Sequence, residues 1–136
     1  MNLSFIHSRL SITIVFFFLA LAIWGLFNFF KTFFKRRRES LTGPIPGVVS
    51  SSYWGALVIG EILVILQGLL GGYLYIIGAR PERGWFHILY GVVMVLCVPA
   101  AYTYTKGQDT DKEMLIYGAV MLFAFGIATR AITTGG

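Results

Sequence analysis

Residues 10–30, LSITIVFFFLALAIWGLFNFF, contain no charged side chain and end just before the first lysine of the chain, Lys31. Three further stretches, 54–77, 85–104 and 114–131, are similarly apolar. A helix of about 20 residues spans the roughly 30 Å hydrocarbon core of a bilayer. The sequence therefore predicts an all-α, polytopic membrane protein: a four-transmembrane-helix bundle with short loops, forming a single membrane domain over residues 1–136.

Composition supports this class. Of the 136 residues, 57% are hydrophobic and 12% are charged, and the mean hydropathy is +0.75. A soluble domain typically carries about 25% charged residues. The net charge is +5, but five of the eleven basic residues follow the first apolar stretch directly, namely Lys31, Lys35, Arg36, Arg37 and Arg38. We interpret this cluster as a topology signal and a contact for anionic phospholipids, with no nucleic acid partner.

The distribution of basic residues also predicts an orientation. Seven of the eleven Lys and Arg residues lie in the connections between helices 1 and 2 and between helices 3 and 4. By the positive-inside rule these connections are cytoplasmic, which places both termini outside the cell (plasma or inner) membrane.

The first apolar stretch is longer than the apolar region of a signal peptide and ends in a basic cluster, so we expect it to be a retained helix.

Small residues spaced four apart predict close helix packing, since they let two helix backbones approach in lipid. We expect these residues of helices 2 and 4 to pack inside the four-helix unit, the alternative being an intermolecular face. They are Ala56, Gly60, Gly68, Gly72, Gly118, Ala124 and Ala128.

Glu61 is the acidic residue predicted to lie deepest in the membrane. A charged carboxylate there costs about 2.5–3.5 kcal/mol on insertion scales. We expect Glu61 to be neutral or to find a donor such as Tyr117, and Gln67 to form interhelical hydrogen bonds. One interpretation of Glu61 is a proton relay, a quinone-site acid or a cation ligand; the other is a protonated residue that bridges helices.

Two histidines, His7 and His87, are both predicted near the outer surface. Imidazoles from two helices can ligate a b-type haem. With helix 1 centred near Ala20 and helix 3 near Val95, however, His7 lies about 20 Å and His87 about 12 Å from the midplane. Because axial ligands need nearly equal depth, we expect interfacial histidines. No cofactor or metal site is predicted, and haem b or quinone is kept as the alternative.

These features favour a small accessory or structural subunit of a larger membrane complex, such as a respiratory or photosynthetic electron-transfer assembly. Its partners would be other membrane subunits, and it would have no catalytic residues of its own. The first alternative is a b-type cytochrome or quinone-interacting protein that uses His7 and His87. The second is a small transporter or channel that uses Glu61.

Overall fold

A computed structural model describes residues 2–136. Four α-helices make up almost all of it: α1 (Leu3–Glu39), α2 (Ser51–Ile76), α3 (Gly84–Thr105) and α4 (Asp111–Gly135). The described residues contain no strand. Each helix is long and apolar enough to cross a membrane, with mean hydropathies of 1.8 to 2.5 in its most apolar window. The predicted four-helix membrane bundle is confirmed, and the chain is a multi-pass membrane protein.

The helices alternate in direction and form a ring in which α1 and α3 are each flanked by α2 and α4. The α1–α4 interface is the most extensive, and the α2–α3 interface is the least. Two ends follow from this topology. At the terminal end, as we call it, α1 and α3 begin and α2 and α4 finish. The basic end is the opposite one, and it carries the end of α1 together with residues 40–50 and 106–110.

The predicted helix positions are close for α2, α3 and α4, but α1 begins seven residues earlier than expected and ends nine residues later. Its 37 residues measure about 55 Å at 1.5 Å per residue. The basic cluster is therefore helical, and it occupies the last turns of α1. Cationic side chains in that position also complement the helix dipole.

The basic half of the bundle has a tightly packed core. A Cβ atom added to Gly25 would lie 2.9 Å from the Cα of Gly118, so the backbones of α1 and α4 are in direct contact. Tyr53 and Tyr117 are fully buried beside this contact. The Tyr53 hydroxyl donates to the carbonyl oxygen of Leu21 at 3.0 Å, which ties α2 to α1.

The connection between α1 and α2 is anchored at the start of α4. The Asp111 carboxylate pairs with Arg36 at 2.6 Å and also accepts from the backbone N–H of Ile45 at 3.0 Å. The N–H groups of Val48 and Val49 donate to the carbonyl of Asp109. One member of the basic cluster, Arg36, therefore serves the fold of the protein itself.

Candidate functional site

A cavity of about 740 Å³ opens between the four helices in their terminal half. We call it the terminal cavity. Its existence follows from the sequence of its walls, because Gly68 and Gly72 of α2 and Gly91 of α3 face it and no atom lies within 4 Å of a Cβ added to any of them. Gly68 and Gly72 were expected to pack against another helix, and they instead widen the loosest interface of the bundle.

The other small residues of α2 and α4 pack within the bundle, though α2 and α4 lie diagonally and are not in contact with each other. Gly60 meets the ring of Phe17 on α1. Gly118 meets the α1 backbone, and Ala124 and Ala128 are buried. Ala56 is partly buried against the core. The main packing partner of both strips is therefore α1.

His7 and His87 both line the terminal cavity, and their ring centroids are only 6.1 Å apart, with an angle of 59° between the ring planes. The histidines come from α1 and α3, the two helices that face each other across the bundle. The expectation that they lie at different depths is wrong. The structure brings the two imidazoles together at one level of the bundle.

The error came from the assumed centre of α1. Gly71 of α2 meets His7, and Gly60 of α2 meets Phe17. The middle of α2 therefore lies beside a point of α1 between His7 and Phe17, well before Ala20. Because α1 continues as a helix past its neighbours at the basic end, the centre of its apolar run does not mark the centre of the bundle.

Each imidazole packs against a glycine of the following helix. A Cβ atom added to Gly71 would lie 3.0 Å from Cε1 of His7, and one added to Gly135 would lie 3.0 Å from Cε1 of His87. Larger side chains at these glycines would displace the rings. The hairpins α1–α2 and α3–α4 thus hold their histidines in the same way, a correspondence that the sequences of the two halves do not reveal.

His87 has a defined tautomer. Its Nδ1 atom lies 2.9 Å from the carbonyl oxygen of Ala131 on α4. A carbonyl oxygen only accepts hydrogen bonds, so Nδ1 donates and carries the proton. In the neutral imidazole, Nε2 then keeps a free lone pair. A hydrogen bond of this kind from the far ring nitrogen orients the histidine ligands of metal sites and raises their basicity.

His7 is held through Gln67 of α2. The amide nitrogen of Gln67 donates to the carbonyl oxygen of His7 at 3.1 Å and to the Ser11 hydroxyl at 2.5 Å, and it lies 3.3 Å from Nε2 of His7. Gln67 therefore makes the interhelical hydrogen bonds expected of it. Nδ1 of His7 and Oε1 of Gln67 are buried without a partner among the described residues. Buried polar atoms are nearly always hydrogen-bonded, so these two atoms mark a polar site.

Glu61 lies elsewhere. It is on α2 towards the basic end, it does not line the terminal cavity, and its Oε2 atom is buried without a partner among residues 2–136. The donor expected for it is engaged differently, since the hydroxyl of Tyr117 is 2.7 Å from Thr105 Oγ1. Glu61 and the histidines therefore do not belong to one site.

Most of the basic cluster stays outside the bundle. Arg36 is the exception, since it is partly buried and pairs with Asp111, whereas Lys31 and Arg37 are exposed, with their cationic groups over the rings of Phe27 at 5.9 Å and Phe33 at 5.4 Å. Lys35 and Arg38 are exposed. Four of the five basic side chains of the cluster are therefore exposed.

No protein family model matches the chain, and no curated protein or solved structure matches it either. The terminal cavity and the two imidazoles in its wall are therefore the features that point to a function.

Proposed function

We propose that this protein binds a b-type haem in the terminal cavity, with His7 and His87 as the two axial ligands. The observation that carries the proposal is the spacing of the rings. Imidazoles on opposite sides of one metal ion have centroids about 6 Å apart, because each metal–nitrogen bond is about 2 Å and each ring nitrogen is about 1 Å from its centroid. The centroids of His7 and His87 are 6.1 Å apart.

The donor set fits haem better than a bare ion. Two imidazoles fill only half of the four-ligand shell that a zinc site typically needs. A porphyrin supplies four nitrogens itself and leaves two axial positions, which His7 and His87 match. The glycines that face the cavity leave room for a flat macrocycle, and a volume of about 740 Å³ falls within the range of small-molecule and cofactor sites, about 300–1,000 Å³.

A haem held by two histidines has no open iron position, so its chemistry is the transfer of electrons. This keeps the earlier expectation that the protein is not itself an enzyme and serves a larger electron-transfer assembly. A surface for such a partner is offered by α1, whose outward side carries Phe16, Ile23, Phe27 and Phe34, each at least 60% exposed. Under the orientation given by the basic residues, with both termini outside, the haem would lie in the outer half of the cell membrane.

The proposal is tested by purifying the protein with haem b supplied during expression. We expect one haem per chain, with a Soret band and a sharp α band in the reduced form. His7→Ala and His87→Ala should each lose haem binding, whereas Thr13→Ala, on α1 but outside the cavity, should keep it. A chain that binds no haem, or alanine variants with unchanged spectra, would overturn the proposal.

A second variant separates ligation from packing. Methionine can serve as an axial haem ligand and raises the reduction potential relative to histidine. His87→Met should therefore keep the haem and raise its midpoint potential. If His87 only supported the fold of the cavity, the potential would stay unchanged.

Mild-detergent purification at native expression tests the partner. The haem protein should co-migrate with other membrane subunits of an electron-transfer complex, and a lone 15.1 kDa species would contradict that part of the proposal. The transporter alternative has only Glu61 to support it. Since Glu61 lies away from the cavity, we expect Glu61→Gln to leave the haem spectrum intact.

A further inference from the structure

Arg80 is placed to bind an acidic group of whatever occupies the terminal cavity. It lies in the connection between α2 and α3, and it is the one permanently charged side chain among the described residues that line the cavity. Its guanidinium lies 5.5 Å from the ring centroid of Tyr75, which also lines the cavity. A planar guanidinium stacked in this way keeps its N–H groups free to bind a carboxylate.

No ion pair engages Arg80 within residues 2–136, where Arg36 and Asp111 form the observed pair. The other three basic residues near the terminal end are arranged differently. Arg9 lies over the ring of Phe5, 4.9 Å from its centroid. Arg83 precedes α3, and neither it nor Arg130 lines the cavity. The positive charge at the cavity wall is therefore specific to Arg80.

The polarity of the cavity wall changes along the bundle axis. At the terminal end the wall carries Arg80 together with the hydroxyl residues Ser4 and Ser8, one helical turn apart on α1. The imidazole of His7 comes from the same turn of α1, between Ser4 and Ser8, and that of His87 comes from the first turn of α3. Further in, most of the wall is apolar, and it includes Val64, Val92, Met94, Val95 and Leu96, while the polar side chains Ser11 and Gln67 there hydrogen-bond to each other. A ligand that matches this gradient has a flat apolar body and acidic groups at one edge.

We infer that Arg80 binds a carboxylate of the cavity ligand, with Ser4 and Ser8 offering hydroxyl donors beside it. This inference rests on the proposed haem site, where the carboxylate is a haem propionate and the propionate edge faces the terminal end. Arg80 then determines the orientation in which the macrocycle binds in the cavity. Its positive charge also favours the reduced, less positive iron, so it raises the reduction potential.

The experiment compares haem b with its dimethyl ester, in which both propionates are neutral. The wild-type protein should bind haem at least tenfold more tightly than the ester. Arg80→Gln should weaken haem binding about tenfold, lower the midpoint potential and leave binding of the ester unchanged. The matched control is Arg83→Gln, three residues further along, which should behave as the wild type does with both ligands.

The outcomes are distinct. If the wild-type protein binds neither haem nor ester, the haem proposal itself fails. If it binds both equally, or if Arg80→Gln weakens both alike, the haem proposal survives and the role of Arg80 is overturned. Vesicles of anionic or neutral phospholipid form a further arm. Should Arg80→Gln reduce binding to anionic vesicles while the haem-to-ester ratio stays as in the wild type, Arg80 recognises a lipid phosphate instead.

Discussion

The two halves of the bundle use glycine in opposite ways. In the basic half, Gly25 and Gly118 bring two helix backbones into contact, and a Cβ on either would collide with the other chain segment. In the terminal half, Gly71 and Gly135 are each covered by an imidazole, and Gly68, Gly72 and Gly91 face open space. In the basic half these glycines therefore close the α1–α4 interface, while in the terminal half they leave room for a ligand between the helices.

This difference separates the residues that hold the bundle together from those that serve a site. In lipid, helix association depends on close van der Waals packing between small residues, and the basic half supplies it. The terminal half gives up such packing around Gly68, Gly72 and Gly91, and the cavity left there is lined by His7 and Gln67, each with one buried polar atom that has no partner among residues 2–136. Departures from close packing and full hydrogen bonding are expected at functional or strained sites.

The largest effect on folding is expected for Gly118→Leu. The added Cβ would lie 3.0 Å from the backbone nitrogen of Leu26, and a helix backbone cannot move aside as a flexible side chain can. Overpacking of a dense core costs about 1–3 kcal/mol and sometimes more, and we expect at least about 3 kcal/mol here. Unfolding of the protein in detergent, followed by circular dichroism against SDS fraction, measures it.

Gly126→Leu is the matched control on the same helix, since nothing lies within 4 Å of its added Cβ. That variant should unfold at the same SDS fraction as the wild type or at a slightly higher one, because leucine favours helix more than glycine does. Equal destabilisation by the two substitutions would show that α4 does not contact α1 through Gly118.

The sequence predicted the helices well because hydropathy depends only on local composition. It also placed Ala124 and Ala128 among packing residues because they are four residues apart on one face of α4, and it added Gly118 as a small residue of the same helix. It could not predict that His7 and His87 meet. Their depth depends on how far α1 slides relative to α2, and the apolar run of α1, continuous with helical residues beyond the bundle, does not define that register. The glycines that the two imidazoles cover, Gly71 within α2 and Gly135 at the end of α4, gave no such signal, because nothing in the sequence pairs them with the histidines.

A smaller effect on folding is expected for Tyr53→Phe. This change removes the hydroxyl that donates to Leu21 at 3.0 Å and leaves the buried ring in place. Hydrogen bonds between transmembrane helices contribute about 0.6 kcal/mol on average and up to about 1.7, so we expect a loss of about 0.5–1.5 kcal/mol in the same SDS titration. Tyr104→Phe, at a side chain that is 73% exposed, should leave the free energy of unfolding unchanged. A loss as large as that of Gly118→Leu would mean that the ring itself shifts.

The smallest effect on folding is expected for Gly68→Leu, although this variant should lose the ligand. Its Cβ meets no atom within 4 Å, so the new side chain extends into the terminal cavity instead of into another helix. The SDS midpoint of the haem-free protein should stay at the wild-type value, and the affinity for haem should fall at least tenfold.

The control for that variant is Gly55→Leu. Gly55 lies on the same helix and is equally open at its Cβ, but it is outside the cavity, so both folding and haem binding should be retained. Destabilisation by Gly68→Leu comparable to that by Gly118→Leu would mean that the terminal half is packed as tightly as the basic half. If Gly68→Leu bound haem as tightly as the wild type does, the ligand would lie away from the glycine-lined wall. The predicted combination, intact folding with lost binding, requires the cavity to be open and to be the site.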